Sequence, residues 1–424
     1  MSAFEITPIF HALHAAVRVP GSKSLTNRAL LIAALATGET WLTNALFSDD
    51  TYIFARALQK LGFDVHLDPA HTEMSVSGLG GYIPAKQAQL DCGNAGTAVR
   101  FLSAFLTLAS GEFVLDGDSR MRFRPIGDLV SALTQLGARI EISSSNCPPL
   151  RISASGLPGG QASIPGNVSS KFLSGLLMVS PYAQRPVEIL VITELNSKPY
   201  VDLTLAVMSD FGVEIERRGY RNFVIHPTQY QPKGSYAIES DASAASYFFA
   251  APAVCTGTVR VENISRHSKQ GDIAFLDILQ RMGCVVIEGG DYIEVTRSAG
   301  LVGVEVDMRD IPDTAQTLAA IAPFASTPTH ICGIATARVK ETDRITAVCN
   351  ELTRLGIRVE EHSDGMTIHP CKSFNPTMIQ TYNDHRMAMA LSLIGLRVPG
   401  LKVENPSCVS KTFPNYFDVL STLQ

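Results

Sequence analysis

Apolar residues along the chain repeat in two interleaved patterns that share one spacing. In the first pattern a small polar residue begins a helical apolar run, and successive starts lie 72, 73, 72, 72 and 71 residues apart, at Ser24, Gly96, Ser169, Asp241, Asp313 and Asp384. In the second pattern an amphipathic run ends in glycine before a strand-like segment, with glycines 75, 75, 71 and 73 residues apart, at Gly62, Gly137, Gly212, Gly283 and Gly356. Two independent landmarks with one period predict six copies of a unit of about 72 residues.

The order of the patterns inside one copy predicts its fold. Each copy is expected to run strand, helix, strand, helix and then strands, with a glycine ending the second helix. Two helices on one face of a small sheet indicate an α+β fold, made of mixed α/β sandwich repeats of the βαβαββ type. The scaffold is therefore a repeat, and its function must depend on how the copies differ.

The six copies divide into two similar domains of three copies each. We expect an N-terminal domain at 21–240 and a C-terminal domain formed by 1–20 plus 241–424. The sixth copy is short. The segment before Ser24 has strand character at FEITPI and AAVRVP, so we expect it to supply the missing strand of the last copy. The two crossings would form a double hinge, of the kind that closes a cleft on substrate.

Composition limits the partners to small molecules. The chain has 424 residues, 46% of them hydrophobic, and a net charge of −5, which argues against a general nucleic-acid binder. Its eight cysteines show no CxxC and no zinc spacing, so we expect free thiols, no metal and no cofactor. The start of the chain lacks signal-peptide features, and no apolar run approaches the roughly 20 residues of a membrane span. We expect a cytoplasmic monomer without a membrane partner.

Basic side chains repeatedly occupy the predicted helix starts, where the positive end of the helix dipole disfavours them by about 0.3–1 kcal/mol. They are Lys23, Arg28, Arg100, Arg120, Arg122, Arg124, Lys171, Lys340, Arg344, His385 and Arg386. Backbone N–H groups at such starts, flanked by Ser, Thr or Gly, bind phosphate or carboxylate. One such motif is more often a solvated side chain beside a cap. Their recurrence in one repeat framework predicts several anionic groups bound between the domains.

Acidic residues stand among these cations. Asp313, with Gln316 three residues later, is close to a capping box, so capping and chemistry both stay open. Glu341 lies between two of the cations and would repel an anion unless it moves a proton, which favours a general acid or base. His385 leaves the same two interpretations open. No Ser/His/Asp or Cys/His arrangement predicts a covalent nucleophile.

Segments in order from residue 20 to residue 418 carry a family resemblance. They read PGSKSLTNRALLIAALATGET, SDDT, GNAGTAVR, RMRFRPIGDLVSAL, NVSSKFLSGLLM, NSKPYVDLTL, SDASAASYF, KQGD, DIPDTAQTLA, ARVKETDRI, TYNDHRMAMAL and SKTFPNYFD. Together they resemble the EPSP synthase (3-phosphoshikimate 1-carboxyvinyltransferase) family of the enolpyruvyl transferase superfamily. The resemblance implies two inside-out α/β barrel domains joined by a double-crossover hinge, and no cofactor.

The resemblance also implies a reaction. The 5-hydroxyl of shikimate 3-phosphate would attack phosphoenolpyruvate, and phosphate would leave from a tetrahedral intermediate. The product would be 5-enolpyruvylshikimate 3-phosphate, the sixth step of the shikimate pathway to chorismate and the aromatic amino acids. Both substrates carry several negative charges, which accounts for the cations at the helix starts. Phosphonate mimics of phosphoenolpyruvate such as glyphosate would inhibit.

Carried over position by position, the resemblance implies a set of ligands and of proton-transfer residues. Shikimate 3-phosphate would be held mainly from the N-terminal domain, by Lys23, Ser24, Arg28, Ser169, Ser170, Ser197 and Lys340. Phosphoenolpyruvate would be held by Lys23, Gly96, Arg124, Arg344, Arg386 and Lys411. Asp313 would accept the proton of the 5-hydroxyl and Glu341 would protonate the methylene carbon. Lys23 and His385 complete the implied catalytic residues.

Two substrate-binding positions depart from the family pattern. The chain has Lys171 where the family usually has Gln, and Thr336 where it usually has Asn. A lysine can reach a phosphate but cannot accept a hydrogen bond. We interpret both changes as tuning, because every implied acid, base and phosphate-binding cation is present.

Two other functions stay open. One is the related transferase that acts on UDP-N-acetylglucosamine, whose loop cysteine is absent here because no cysteine lies between Cys92 and Cys147. The other is a non-catalytic anion-binding relative built on the same repeats. Glu341 argues against the second, since a protein that only binds anions gains nothing from a carboxylate at that place.

Overall fold

The protein divides into two units with separate hydrophobic cores in a computed structural model that describes residues 3–424. One unit, here called the N-unit, is Gly21–Ile238. The other, the C-unit, is formed by the chain up to Pro20 together with Glu239–Gln424. In the described part of the chain, no helix is both long and apolar enough to cross a bilayer.

The first helix of each copy begins within two residues of the landmark that predicted it. Numbered along the chain, the α-helices found in residues 3–424 are α1 (Lys23–Leu35), α2 (Asp49–Lys60), α3 (Gly96–Phe105), α4 (Gly127–Gln135), α5 (Ser170–Val179), α6 (Lys198–Asp210), α7 (Ala242–Cys255), α8 (Phe275–Arg281), α9 (Ala315–Ile321), α10 (Arg344–Arg354), α11 (His385–Gly395) and α12 (Tyr416–Ser421). The odd-numbered helices are the first helices of the copies. The six-copy repeat is confirmed.

The strands form six small sheets, three in each unit. Over the same residues the strands are β1 (Ala3–Glu5), β2 (Leu13–Arg18), β3 (Thr37–Thr43), β4 (Asp64–Asp68), β5 (Glu73–Leu79), β6 (Gln87–Asp91), β7 (Ser110–Asp116), β8 (Arg139–Ile142), β9 (Leu150–Ser155), β10 (Gly160–Ile164), β11 (Val187–Val191), β12 (Glu216–Arg218), β13 (Asn222–Ile225), β14 (Ser235–Ala237), β15 (Gly257–Glu262), β16 (Val285–Glu288), β17 (Tyr292–Arg297), β18 (Glu305–Asp307), β19 (Thr329–Cys332), β20 (Val359–His362), β21 (Gly365–Ile368), β22 (Met378–Ile379) and β23 (Lys402–Glu404).

Within residues 3–424, five sheets have four strands in one common order, and the sixth has the first three positions of that order. In the N-unit the orders are β14-β3-β5-β4, β6-β7-β9-β8 and β10-β11-β13-β12, and in the C-unit they are β2-β15-β17-β16, β18-β19-β21-β20 and β22-β23-β1. The first pair in each sheet is parallel, and the remaining pairs are antiparallel. This order is the βαβαββ copy expected from the sequence.

The first helices lie in the interior of their units, and most of their residues are apolar. Every residue of α7 and of α3 is buried, whereas α2 buries only half of its residues. A helix that is hydrophobic all round needs cover on every face, while an amphipathic one can have one face in water. Helices inside and half-exposed sheets outside make the inside-out α/β arrangement, so the expected fold class is confirmed.

Strands β2 and β14 each pair in the sheet of a different copy from the one whose first helix follows them in the sequence. Strand β2 precedes α1 but lies beside β15 in the fourth copy, with Leu13 opposite Gly257. Strand β14 precedes α7 but lies beside β3 in the first copy, with Ser235 opposite Trp41. Each strand that precedes a crossing between the units thus pairs within the unit that the chain is leaving.

The expected completion of the last copy was half right. Strand β1 does join that sheet, antiparallel to β23. The AAVRVP segment, which forms most of β2, was wrongly assigned to the same sheet. The last sheet already has a parallel strand, β22, before α11, so only its antiparallel edge was open to the start of the chain.

The glycine after each second helix has the left-handed backbone that the C-cap prediction requires. The φ angles are 95°, 96°, 83°, 104° and 83° at Gly62, Gly137, Gly212, Gly283 and Gly356. A side chain disfavours this conformation, so glycine recurs after the second helix in the first five copies.

We predict that Gly62→Ala destabilises the N-unit. The substitution forces alanine into the left-handed region, and its Cβ would lie 2.8 Å from Cβ of Pro84. The expected loss in free energy of unfolding is about 1–2 kcal/mol, measured by urea denaturation. Gly290→Ala is the matched control, because nothing lies within 4 Å of a Cβ there. Equal effects of the two changes would contradict the capping role.

Candidate active site

Three cations of the C-unit surround the carboxylate of Asp313. This residue lies in the short 3₁₀ turn Pro312–Thr314 that leads into α9. Its Oδ1 is 3.3 Å from Nζ of Lys340 and 3.2 Å from Nη1 of Arg344. Its Oδ2 is 2.9 Å from Nη2 of Arg386. Residues at the helix starts of the fifth and sixth copies therefore converge on one carboxylate.

The guanidinium of Arg344 is held by two further carboxylates. Its Nε donates to Oδ2 of Asp384 at 2.7 Å, and its Nη2 donates to Oε2 of Glu341 at 3.0 Å. Burial lowers the pKa of Arg344, but Asp384, Glu341 and Asp313 outweigh burial and raise it above its ordinary value. Oδ1 of Asp384 also accepts the backbone N–H of Arg386 at 2.9 Å. Asp384 thus ties α10 to the start of α11.

The other end of the Arg386 guanidinium contacts α7. Its Nη1 donates to the hydroxyl oxygen of Tyr247 at 3.3 Å. Burial raises the pKa of Tyr247 to about 12, although the nearby Arg386 acts the other way. Apart from its N-cap, Asp241, the fourth copy has no charged side chain at its helix start, yet it contributes this hydroxyl to the cluster.

The other predicted site residues of the C-unit are buried or half-buried. His385 begins α11, and its Nδ1 lies 3.3 Å from Oδ1 of Asp384. Burial lowers the pKa of Lys340, and Asp313 partly offsets this. Thr336 and Lys411 are buried in two 3₁₀ turns.

In the N-unit, Lys23 begins α1 beside a buried acid. Its Nζ lies 3.3 Å from Oδ2 of Asp50, which is in the first turn of α2. The backbone N–H of Leu25 is capped by the hydroxyl of Ser22 at 3.4 Å. The cation at this helix start is therefore held by a carboxylate of the neighbouring helix.

Arg28 is fully buried one turn further along α1. Its Nε donates to Oγ1 of Thr204 at 2.8 Å, and its Nη2 donates to the carbonyl of Tyr200 at 3.0 Å and to Oγ of Ser174 at 3.4 Å. Nη1 donates to the carbonyl of Ser24 at 2.9 Å. Burial lowers the pKa of Arg28 to about 10, with Tyr200 opposing. These bonds join α1 to α5 and α6.

Gly96 begins α3 directly beside a guanidinium. A Cβ at this position would lie 2.7 Å from Cζ of Arg124. Nη1 of Arg124 donates to the backbone carbonyl of Asn94 at 2.9 Å and to its side-chain oxygen at 2.7 Å. Arg100 bridges the carbonyls of Gly96 and Pro125, at 2.9 Å each. Arg124 thus occupies the space that a larger residue at the helix start would need.

The predicted serines lie at the starts of α5 and α6. Ser169 is the N-cap of α5 but its side chain makes no cap bond, and Ser170 and Lys171 follow it in the first turn. Ser197 is the N-cap of α6 with a left-handed φ of 58°. A non-glycine residue in this region is strained, and such strain gathers at functional sites.

The structure thus gives the predicted site residues two different settings. In the C-unit, Asp313, Lys340, Glu341, Arg344, His385 and Arg386 form one connected cluster. In the N-unit they form separate groups at the starts of α1, α3, α5 and α6. Across residues 3–424, no group of three or more His, Cys, Asp or Glu side chains could hold a metal ion.

Sequence reasoning missed three members of these groups. Asp384 was used only as a helix landmark, although an acid beside a His-Arg pair at a helix start signals a cation partner. Asp50 reads as an ordinary first-turn acid. Tyr247 lies in an apolar helix and has the pattern of a core residue, so no sequence signal distinguishes it.

The chain is similar to known proteins over nearly its whole length. The sequence model of the EPSP synthase (3-phosphoshikimate 1-carboxyvinyltransferase) family matches residues 9–420. The chain is 48% identical over 418 residues to the 3-phosphoshikimate 1-carboxyvinyltransferase of Trichormus variabilis, covering 98% of each. It is 48% identical over 404 residues to that of Shewanella denitrificans, covering 95% of this chain and 94% of the relative. The solved EPSP synthase of Acinetobacter baumannii superposes with a TM-score of 0.81 at 25% identity, covering 99% and 97%.

We predict that Asp384→Asn destabilises the protein strongly. The change removes the negative charge that receives two N–H groups of the buried Arg344. Breaking a buried ion pair on one side is expected to lower the free energy of unfolding by about 2–4 kcal/mol, measured by denaturant titration. Asp418→Asn is the control, since this exposed acid on α12 should change stability by about 0.5 kcal/mol or less. Similar losses in both variants would refute the coupling of α10 to α11 through Asp384.

Proposed function

Because the chain belongs to the EPSP synthase family, we infer that it is a 3-phosphoshikimate 1-carboxyvinyltransferase, and we propose how its residues divide the reaction. It transfers the enolpyruvyl group of phosphoenolpyruvate to the 5-hydroxyl of shikimate 3-phosphate and releases phosphate. The observation that carries this conclusion is the agreement with such enzymes over nearly the whole chain. The convergence of cations and acids in the C-unit supports the division of roles.

The addition step needs one base and one acid. We assign Asp313 as the base that takes the proton of the 5-hydroxyl. The oxygen of that hydroxyl at the same time bonds to C2 of phosphoenolpyruvate. The electrons of the C2–C3 double bond then take a proton at C3, which we assign to Glu341. Glu341 would have to be protonated when phosphoenolpyruvate binds, and its neighbour Arg344 would be drawn toward the anionic substrate. The product of this step is a tetrahedral intermediate that still carries the phosphate.

The elimination step reverses the proton transfer at C3. The methyl group of the intermediate loses a proton, the double bond forms again, and the C2–O bond to phosphate breaks. The leaving phosphate takes up negative charge, so fixed cations favour this step. We assign this stabilisation to Lys23, Arg124, Arg344, Arg386 and Lys411.

The ligand-free cluster is consistent with such an exchange of partners. Three cations around Asp313 favour its ionised form, which is the form that a base requires. Substrate phosphate and carboxylate groups would compete with Asp313 for these cations. As the cations turn toward the substrates, Asp313 becomes a stronger proton acceptor.

The N-unit supplies the other proposed contacts. We assign Lys23, Ser24, Arg28, Ser169, Ser170 and Ser197 to shikimate 3-phosphate, together with Lys340 of the C-unit. Lys171 would add a positive charge at the start of α5, and Thr336 a hydroxyl. His385, buried against Asp384, would fix the start of α11. We further propose that the enzyme works as a cytoplasmic monomer. We also propose that it binds no nucleic acid, and its net charge of −5 supports this last point.

The decisive test is the release of phosphate when the protein is mixed with shikimate 3-phosphate and phosphoenolpyruvate. We expect release that depends on both substrates, measured from about pH 5 to pH 9 to allow for the acid and base. UDP-N-acetylglucosamine in place of shikimate 3-phosphate is the control, and it should release none. Release only with the UDP-sugar would favour the related transferase, and no release with either would leave the non-catalytic alternative.

We predict that glyphosate competes with phosphoenolpyruvate and that Gly96→Ala weakens this inhibition. The new methyl group would displace Arg124 and narrow the space at the start of α3. A steric change of this kind should raise the inhibition constant by roughly 10-fold or more. Gly290→Ala serves as the control, since it lies in open space. An unchanged inhibition constant in Gly96→Ala would refute the placement of the phosphonate near Gly96.

A further inference from the structure

Glu351 is a buried carboxylate that the proposed mechanism does not use. It lies on α10, about two turns after Arg344, and its side chain has no exposed surface. Nη1 of Arg354, on the same helix, lies 2.6 Å from its Oε2. Nη2 of that guanidinium donates to the carbonyl of Met378 at 3.0 Å. A buried carboxylate needs polar partners in place of water, so the remaining partners of Glu351 indicate what it serves.

The remaining partners belong to the segment 380–384, which leads into α11. Oε2 of Glu351 accepts the backbone N–H of Gln380 at 2.9 Å, and its Oε1 accepts the hydroxyl of Tyr382 at 3.0 Å. Burial raises the pKa of Tyr382 and Glu351 adds to the increase, while Asn350 opposes it. The hydroxyl therefore keeps the proton that it donates to Glu351. One carboxylate thus holds both the backbone and a side chain of the segment.

The backbone of this segment adopts a conformation that side chains disfavour. The φ angles of Tyr382 and Asn383 are 52° and 54°, so two consecutive residues other than glycine are left-handed. Asparagine tolerates this region better than most residues, but tyrosine does not. Such a conformation persists only where the surrounding contacts fix it, and it is often found at functional sites. The hydrogen bond from Tyr382 to Glu351 is one of these contacts.

Helix α10 also holds the other end of the segment. Nε of Arg344 donates to Oδ2 of Asp384 at 2.7 Å. The backbone N–H of Asp384 in turn donates to the carbonyl of Thr381 at 2.8 Å. Arg344 at the start of α10 and Glu351 two turns later thus fix the segment at both ends. The two left-handed residues lie between these contacts.

The segment sets the position of Arg386, the second residue of α11. Oδ1 of Asp384 accepts the backbone N–H of Arg386 at 2.9 Å. The segment also contacts a second element, because Oδ1 of Asn383 accepts from Nδ2 of Asn405 at 3.1 Å. Asn405 is the N-cap of the 3₁₀ turn that ends at Lys411. Both cations that were assigned to phosphoenolpyruvate on these elements therefore depend on the placement of the segment.

We propose that Glu351 is a positioning residue for phosphoenolpyruvate, which holds the segment 380–384 so that Arg386 is placed to bind this substrate. It does so through Tyr382 and the backbone of Gln380. The proposal rests on the role assigned to Arg386 above. The effect should fall on the KM for phosphoenolpyruvate, because the contacts assigned to shikimate 3-phosphate lie mainly in the N-unit.

Tyr382→Phe removes the hydroxyl but keeps the ring and every other bond of Glu351. The variant should fold, because Tyr382 is 37% exposed. A segment that places Arg386 correctly for only a fraction of the time lowers the apparent affinity for phosphoenolpyruvate by that fraction. We expect the KM for phosphoenolpyruvate to rise by about 3–10-fold, measured from initial rates of phosphate release. The kcat and the KM for shikimate 3-phosphate should stay within about 2-fold of the wild type.

Tyr220→Phe is the matched control. The hydroxyl of Tyr220 also donates to a carboxylate, that of Asp202, but both residues lie in the N-unit. Its KM for phosphoenolpyruvate should equal that of the wild type. Hydrogen exchange followed by mass spectrometry, without substrate, gives a readout that does not depend on activity. Peptides that cover 380–386 should exchange faster in Tyr382→Phe and at the wild-type rate in the control.

A double-variant cycle tests whether Tyr382 acts through Glu351. Glu351→Gln removes the charge but keeps an oxygen that can accept a hydrogen bond, and it should also raise the KM for phosphoenolpyruvate. The double variant should raise this KM by less than the product of the two single effects, because both changes weaken one contact. Single effects that multiply in full would overturn the inference.

The outcomes separate this inference from the assignment on which it rests. An unchanged KM for phosphoenolpyruvate in Tyr382→Phe overturns the inference. Equal rises in both KM values with a lower unfolding midpoint also overturn it, because they indicate a structural loss in the whole protein. An unchanged KM for phosphoenolpyruvate in Arg386→Ala would instead refute the role assigned to Arg386. No phosphate release by the wild type would refute the transferase function itself.

Discussion

Charge buried at helix starts is the constraint on which the site depends. An ion of this kind costs several kcal/mol to bury alone, and a pair offsets that cost only when its geometry is good. In the C-unit the cost is met by a network, since Arg344 contacts three carboxylates and Asp313 contacts three cations. Removing one charged side chain from this network would leave another charge buried without one of its partners. The network therefore fixes the starts of α10 and α11 and the turn before α9 as one group.

The repeat supplies the positions that such a network needs. The first helix of each copy is mostly apolar, so it lies inside its unit and is covered along most of its length. Only its N-terminal end is left to present polar groups. Each unit therefore has three such helix ends in equivalent positions of its three copies. A substitution at one of these ends changes the polar groups there without disturbing the core. Function can thus vary between copies while the packing stays the same.

Sequence patterns predicted the scaffold well and the site only in part. Helix periodicity and glycine position depend on local backbone physics, so the landmarks at Gly62 or Asp241 could be read directly. The exchange of β2 was missed because strand pairing depends on which sheet has an open edge, and a strand pattern carries no such information. Asp384 and Tyr247 were missed for a related reason: each acts through a residue far away in sequence. Periodicity tells which face is buried, but not which side chains meet there.

The fourth copy shows why the copies must differ. Its helix start carries small residues rather than cations, and Ser243 lets the Asp272 carboxylate approach α7 closely. One turn later, Tyr247 reaches the arginine of another copy. The fourth copy thus joins the cluster through the hydroxyl of Tyr247, whereas the fifth and sixth copies contribute its charged side chains.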